Sequence, residues 1–494
     1  MKKSILLGAA ALAAVALAAP QTSDAGEVKI GGLYQFRAVS TDNTPGTVAN
    51  DANAQYWAQR LQLNVDMKAS EKSHAHMVTR VLDNNMVQGA DSVLNVGTTT
   101  TAANWQVRQL WLETEAWGTA LKLGSMPIAM NDGLLFENDT TSYGTILLAR
   151  NFGGVTLVGA DVKVVEGSAM SVNTNAVGVA AVNPFASSNH SDVDFYVLSA
   201  LGKFNAVDYQ LTAAYLNAQS RATWTAVNSA AMQAANGTTA LAVAGGDPYA
   251  GFNGLGGKLT GSNGQHDLWL GLTLGGKIEG IDVTGTLIYE NGMSNAVQDS
   301  QLDNSGILVA LRAKAKTGFG GWNGYGFYGS KDYTAAVPGG NENNWSPVWD
   351  AKGAGGQDLM TRALSSSTNN NGLVGLTGAT NGFNGATAAT SNATSTGQSN
   401  MWGVGAGLAI NAGAWIIKPN LDYAHVVEDQ IMTSGASGLS TYDSAWGGSL
   451  GFSTKIQEAT TLDLSGTFVS PNARIVGTPE ETMHYVQASV TMNF

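Results

Sequence analysis

Beyond its first 25 residues the chain alternates apolar and polar positions with a period of two, the pattern of β-strands with two unlike faces. In Trp57–Met67 one face carries Trp57, Leu61, Leu63, Val65 and Met67, with Gln59 as the exception. The other carries Arg60, Gln62, Asn64 and Asp66. Val207, Tyr209, Leu211, Ala213 and Tyr215 alternate in the same way with Asp208, Gln210, Thr212 and Ala214. At the C-terminus Val486, Ala488, Val490, Met492 and Phe494 lie on one side, and Tyr485, Gln487, Ser489, Thr491 and Asn493 on the other. Eighteen such runs are expected, from 27–39 to 484–494. Those near 104–114, 144–150 and 322–329 alternate poorly, so sixteen is the alternative count.

Many runs are 9–13 residues long, enough to cross a bilayer at a tilt near 45°. Their apolar faces often begin or end in an aromatic, as at Tyr34, Trp57, Tyr215, Tyr289, Trp402, Tyr423 and Trp446, which suits the girdles at two membrane interfaces. The links alternate in length. Residues 68–73, 151–154, 202–205, 275–280 and 411–414 are short links, whereas 83–103, 166–191, 217–265, 330–400 and 427–444 are long ones. Sorting of this kind follows when turns lie on one side of a membrane and loops on the other. The expected fold is therefore all-β: a transmembrane antiparallel β-barrel of 16 or 18 strands over residues 26–494, with short periplasmic turns and long extracellular loops.

The N-terminus sets the compartment. Lys2 and Lys3 precede an apolar run, Ile5–Ala19, and Ser23-Asp24-Ala25 offers small residues for cleavage. Residues 1–25 read as a signal peptide removed on export. Composition narrows the class further. Glycine is 61 of 494 residues and charged residues are only 13%, with no cysteine. A cysteine-type zinc site, a disulfide scaffold and covalent c-type haem are thus excluded. The net charge of −12 argues against nucleic-acid binding.

Motifs that look chemical have plainer readings. Gly447-Gly448-Ser449-Leu450-Gly451 resembles a nucleophile elbow, and Gly324–Gly329 a dinucleotide fingerprint, but both sit inside alternating strands with no helix following. His74 and His76 share one strand face and read as polar lumen residues. No catalytic residue, cofactor or metal site is expected, and the protein does not read as an enzyme. The informative constellation is a series of bases on polar faces: Arg37, Arg60, Arg80 and Arg108 on the first four strands and Lys122 on the fifth. Placing Arg108 inward leaves Gln109 outward, because an arginine facing lipid near the midplane costs roughly 2–4 kcal/mol. After the fifth strand, 127–145 contains Asp132, Glu137 and Asp139. If this loop folds into the lumen, its acids face the basic wall.

Three segments resemble Gram-negative outer-membrane porins. Val28-Lys29-Ile30-Gly31-Gly32 is similar to the first porin strand. Leu121–Ser125, followed by Pro127 and Asp132-Gly133-Leu134-Leu135-Phe136, is similar to the fifth strand running into a constriction loop. Val490-Thr491-Met492-Asn493-Phe494 is similar to the C-terminal aromatic signal read by barrel-assembly machinery. The resemblance implies a multi-pass barrel in the outer membrane, in contact with its lipid and lipopolysaccharide and assembled as a homotrimer. It implies passive diffusion of small hydrophilic solutes and ions, with Asp132, Glu137 and Asp139 as constriction acids and Arg37, Arg60, Arg80 and Arg108 as wall bases. The alternative is a substrate-selective porin for sugars, oligosaccharides or carboxylates. That alternative needs aromatics lined up in the lumen, and most aromatics here map to the lipid face.

Overall fold

A computed structural model describes residues 26–42, 54–87, 106–137, 143–165, 193–218, 265–294, 304–330, 401–427, 442–473 and 482–494. The expected signal peptide and the long links lie outside them. Eighteen strands form the wall: β1 (Glu27–Asp42), β2 (Ala54–Ser70), β3 (Ser73–Val87), β4 (Gln106–Ala116), β5 (Thr119–Met126), β8 (Tyr143–Phe152), β9 (Val155–Val165), β10 (Val193–Phe204), β11 (Val207–Ala218), β12 (Gln265–Ile278), β13 (Ile281–Ser294), β14 (Asn304–Thr317), β15 (Gly320–Gly329), β16 (Met401–Ala412), β17 (Trp415–Val426), β18 (Tyr442–Gln457), β19 (Thr460–Ala473) and β20 (Met483–Asn493). Two short strands, β6 (Ala129–Met130) and β7 (Phe136–Glu137), form a separate hairpin.

Each wall strand pairs antiparallel with its chain neighbour, β5 with β8, and β20 with β1, so the sheet has no free edge. Closure matters because no water is available in a bilayer to satisfy an open edge. The last residue completes the seam. Phe494 N–H donates to the Gly32 carbonyl (3.1 Å), and Gly32 N–H donates to the Phe494 carbonyl (2.8 Å). A Cβ at Gly32 would collide with the Gln62 carbonyl and stand 2.9 Å from the Phe494 ring. Gly32→Val is therefore expected to lower the yield of heat-modifiable barrel in the outer membrane, as is deletion of Phe494. Wild-type amounts of folded barrel in both variants would show that the seam contributes little.

The exterior is apolar. Ile30, Leu110, Leu148, Leu198, Leu211, Leu270, Leu287, Leu311, Leu421 and Val486 all point outward and are exposed. This band, on a closed sheet, makes the chain a multi-pass β-barrel of the outer membrane. A polar group interrupts it between β9 and β10: Lys163 Nζ lies 2.6 Å from Asp194 Oδ1, with Asp161 and Tyr196 paired just below. This group lies toward the loop end, beside the outward tyrosines Tyr196 and Tyr215.

The count is eighteen, and the three weak runs are real strands whose patterns are broken for local reasons. In β4, Val107 pairs with Thr79 and Gln109 with Val78, so Arg108 is the extra residue of a β-bulge. The bulge corrects the expectation for Gln109. Its register with Val78 puts it on the face of His76, so it joins Arg108 away from lipid rather than pointing into it. In β8 the inward Leu147 packs against apolar groups within the lumen, so both faces read as apolar. In β15 the inward positions Tyr325 and Phe327 are aromatic and separated by glycines. The two glycine-rich motifs are wall segments, Gly324–Gly329 in β15 and Gly447–Gly451 in β18.

Candidate functional site in the barrel lumen

The segment after β5 turns into the lumen. The β6–β7 hairpin is closed by Asn131, Asp132 and Gly133, with φ of 51°, 62° and 76°. Three successive left-handed residues demand types that tolerate that region, and Asn-Asp-Gly supplies them. Gly133 N–H donates to Met130 O (3.1 Å) and Leu134 N–H to Asn131 O (3.1 Å).

The hairpin is fastened to the wall by apolar packing and by polar contacts at its tip. Leu134, Leu135 and Phe136 are fully buried. They belong to one apolar cluster with Val162 of β9, Phe195 and Val197 of β10, Leu216 of β11, Trp269 of β12, Ile288 of β13 and Leu308 of β14. Phe136 stacks on Phe195 at 4.9 Å, and Phe195 meets Trp269 edge-on at 6.1 Å. Burying three such side chains is worth about 5–8 kcal/mol as an upper estimate. At the tip, Asn131 N–H donates to Gln210 Oε1 (3.2 Å) and its side-chain amide to Thr273 Oγ1 (3.2 Å). The amide sits over Gly271, where a Cβ would stand 2.6 Å from Asn131 Oδ1. Asp132 forms an ion pair with Arg312 of β14. Burial nevertheless holds the Asp132 carboxyl above the usual carboxylate range, and the Arg312 and Lys314 charges offset this only in part.

The expected acids and bases are thus arranged differently from the expectation. The partner of Asp132 is Arg312, on an expected strand whose cations the sequence reading did not use, rather than Arg37, Arg60, Arg80 or Arg108. The inward segment covers 127–137, and Thr145 already belongs to β8. Glu137 ends β7, its side chain outside the described residues, as is Asp139 entirely.

The four arginines do share the lumen wall of β1–β4. Arg60 is in register with Gln35, two residues from Arg37, and Arg80 with Gln62, two residues from Arg60. Arg37 Nη1 donates to Gln487 Oε1 of β20 (3.4 Å), and Arg80 is only 8% exposed. Lys122 is tied lower down, toward the turns, 3.0 Å from Glu113. Near it His76 lies 2.5 Å from Asp66, stacks on Trp111 at 4.7 Å and on His74 at 6.2 Å.

A second basic stripe was missed. Arg312, Lys314 and Lys316 alternate with alanines on β14, and register with Thr284 and Asp282 puts them inward. The Arg-Ala-Lys-Ala-Lys spacing was the signal. In the ring of eighteen strands β14 is nine places from β3, so this stripe stands on the wall opposite the arginines and nearer the turns. Lumen aromatics were also underestimated. Tyr325 and Phe327 stack at 6.5 Å, and Tyr325 OH donates to Asp422 of β17, which also accepts from Asn420.

Fold and lumen together define a porin-type channel of the outer membrane: a closed barrel, apolar outside, polar and charged inside, narrowed by an inward hairpin. No protein-family profile and no curated protein sequence matches the chain. Among solved structures it is similar to OpdK of Pseudomonas aeruginosa with vanillate, at 10% identity and a TM-score of 0.49, covering 95% of this chain and 98% of that one. OccK9 (OpdG) of the same organism is 10% identical with a TM-score of 0.49, covering 94% and 99%. A BenF-like porin of Pseudomonas fluorescens is 10% identical with a TM-score of 0.48, covering 95% and 98%.

Proposed function

We propose that the barrel passes small hydrophilic solutes by passive diffusion, without a chemical step, and favours anions, carboxylates among them, over cations. The observation that carries this reading is the pair of basic arcs on opposite walls of the lumen, Arg37, Arg60, Arg80 and Arg108 on one side and Arg312, Lys314 and Lys316, nearer the turns, on the other. Cations on opposed low-dielectric walls raise the local anion concentration between them and exclude like charge. The hairpin rests against β9–β14, which leaves the wall of β1–β4 uncovered for the solute. The overall acidity of the chain does not oppose this, because several acids near the turns are matched by lysines: Asp208 with Lys203 (3.4 Å), Asp282 with Lys277 (3.6 Å) and Glu113 with Lys122 (3.0 Å).

The test is the zero-current potential of the purified barrel in a planar bilayer under a potassium chloride gradient. An anion-selective sign is expected, with selectivity falling at molar salt, where the screening length is about 3 Å. A cation-selective sign at low salt would refute the reading, and a value near zero would return the protein to unselective diffusion.

A further inference from the structure

A cavity of about 210 Å³ opens on the lumen wall between the hairpin tip and the turns, lined by Asp282 and Thr284 of β13, Arg312, Ala313 and Lys314 of β14, and Asn323, Gly324 and Tyr325 of β15. The strand registers that build it are short-range. Arg312 lies between Thr284 and Tyr325, and Lys314 between Asp282 and Asn323. Two inward positions on one strand are about 6.6 Å apart, so one small molecule can reach both cations.

The charges do not cancel. Asp282 is claimed by Lys277 at 3.6 Å. Asp132 is paired with Arg312. Lys314 makes no ion pair among the described residues, and its side chain is exposed. Three cations thus meet two anions, and the excess single charge sits on Lys314, beside the Thr284 hydroxyl and the Asn323 amide.

We propose that this cavity is a binding subsite for a small organic monoanion, held by Lys314 and by Arg312, and that the bound anion competes with Asp132 for the Arg312 guanidinium. The site thereby couples occupancy to the hairpin: an anion seated on Arg312 loosens the tip whose acid it displaces. A proton does the same from the other side. Burial holds the Asp132 carboxyl above the usual range, so mild acid neutralises Asp132 before ordinary aspartates, and Arg312 turns toward the solute. The charged groups that act on Asp132 are Arg312 and Lys314 of β14; Asp282 of β13 and Tyr325 of β15 line the cavity beside these two cations.

This inference deepens the proposed anion preference but fails separately from it. The experiment measures block of chloride current through the full barrel by lactate, with the uncharged lactamide as control. Lactate is expected to block with saturation and lactamide not to block. Lys314→Gln should raise the half-blocking concentration about ten-fold, the loss of one near charge. Asp132→Asn should lower it about three-fold, and should abolish the tightening expected of wild type as the pH is lowered toward the carboxylate range. Lys455→Gln, on β18 and away from the cavity, should leave it unchanged. Heat-modifiable migration confirms that each variant is a folded barrel. Equal block by lactamide, unchanged block in Lys314→Gln, or weaker block in Asp132→Asn would each overturn the subsite, even in a channel whose zero-current potential is anion-selective. A cation-selective potential would overturn the proposed function instead.

Discussion

Replacing Leu134, Leu135 and Phe136 together by serine should raise single-channel conductance several-fold while leaving the barrel assembled. The three side chains are fully buried against Phe195, Trp269 and their neighbours, and none belongs to the sheet ladder except Phe136 in the two-residue strand β7. Removing them takes away the fully buried part of the hairpin's apolar attachment, at about 2 kcal/mol each, and leaves Ile128 and Met130 in the cluster. What remains at the tip is two side-chain hydrogen bonds and the Asp132–Arg312 ion pair. Partly exposed polar contacts of this kind contribute about 1 kcal/mol each. The balance then favours release, and the lumen widens. Gly271→Val should act in the same direction from the wall side, since the new side chain takes the place of the Asn131 amide. Single-channel recording decides the matter. Conductance at or below wild type in both variants, with normal heat-modifiable migration, would mean that the hairpin does not narrow the pore.

The second large effect concerns selectivity. Changing Arg37, Arg60, Arg80 and Arg108 to glutamine should move the zero-current potential toward cations, by about a ten-fold change in permeability ratio at low salt. A unit charge about 4 Å from a passing ion is worth about 1 kcal/mol in water and more beside a low-dielectric wall, so four lost charges suffice. The same four positions as lysine should keep the anion preference, which separates charge from packing; this matters because Arg80 is almost buried. If the lysine and glutamine variants give the same potential, the arginines act by shape and the field arises elsewhere, the β14 stripe being the next candidate.

The strand pattern was legible because each strand meets two solvents, lipid and water, and therefore repeats every two residues. Where the lumen is not watery the pattern fails. Leu147 looks outward by type and is inward by register, since it packs against the apolar hairpin cluster. Arg108 and Gln109 cannot both be assigned by a strict period of two, because a bulge puts an extra residue between the two registers. The inward turn of the loop after β5 was expected from its acids and from the likeness of Asp132-Gly133-Leu134-Leu135-Phe136 to a porin constriction loop. Its landing place was not. The apolar run needs a matching apolar wall, and the residues that form it, from Val162 to Leu308, are scattered over six strands.

The sequence alone pointed to a closed, antiparallel barrel with arginines along the lumen side of its first four strands. Those features depend on local alternation and on side chains that cannot face lipid. Only the tertiary structure decided that the hairpin leans on β9–β14, that Asp132 meets Arg312 rather than the four expected arginines, and that β14 stands across the pore from β3. Each of these depends on how many strands close the ring and where each stands in it. A hairpin rooted at β5 reaches whichever wall the barrel's circumference and its matching apolar surface bring to it, and no periodicity along the chain records that distance.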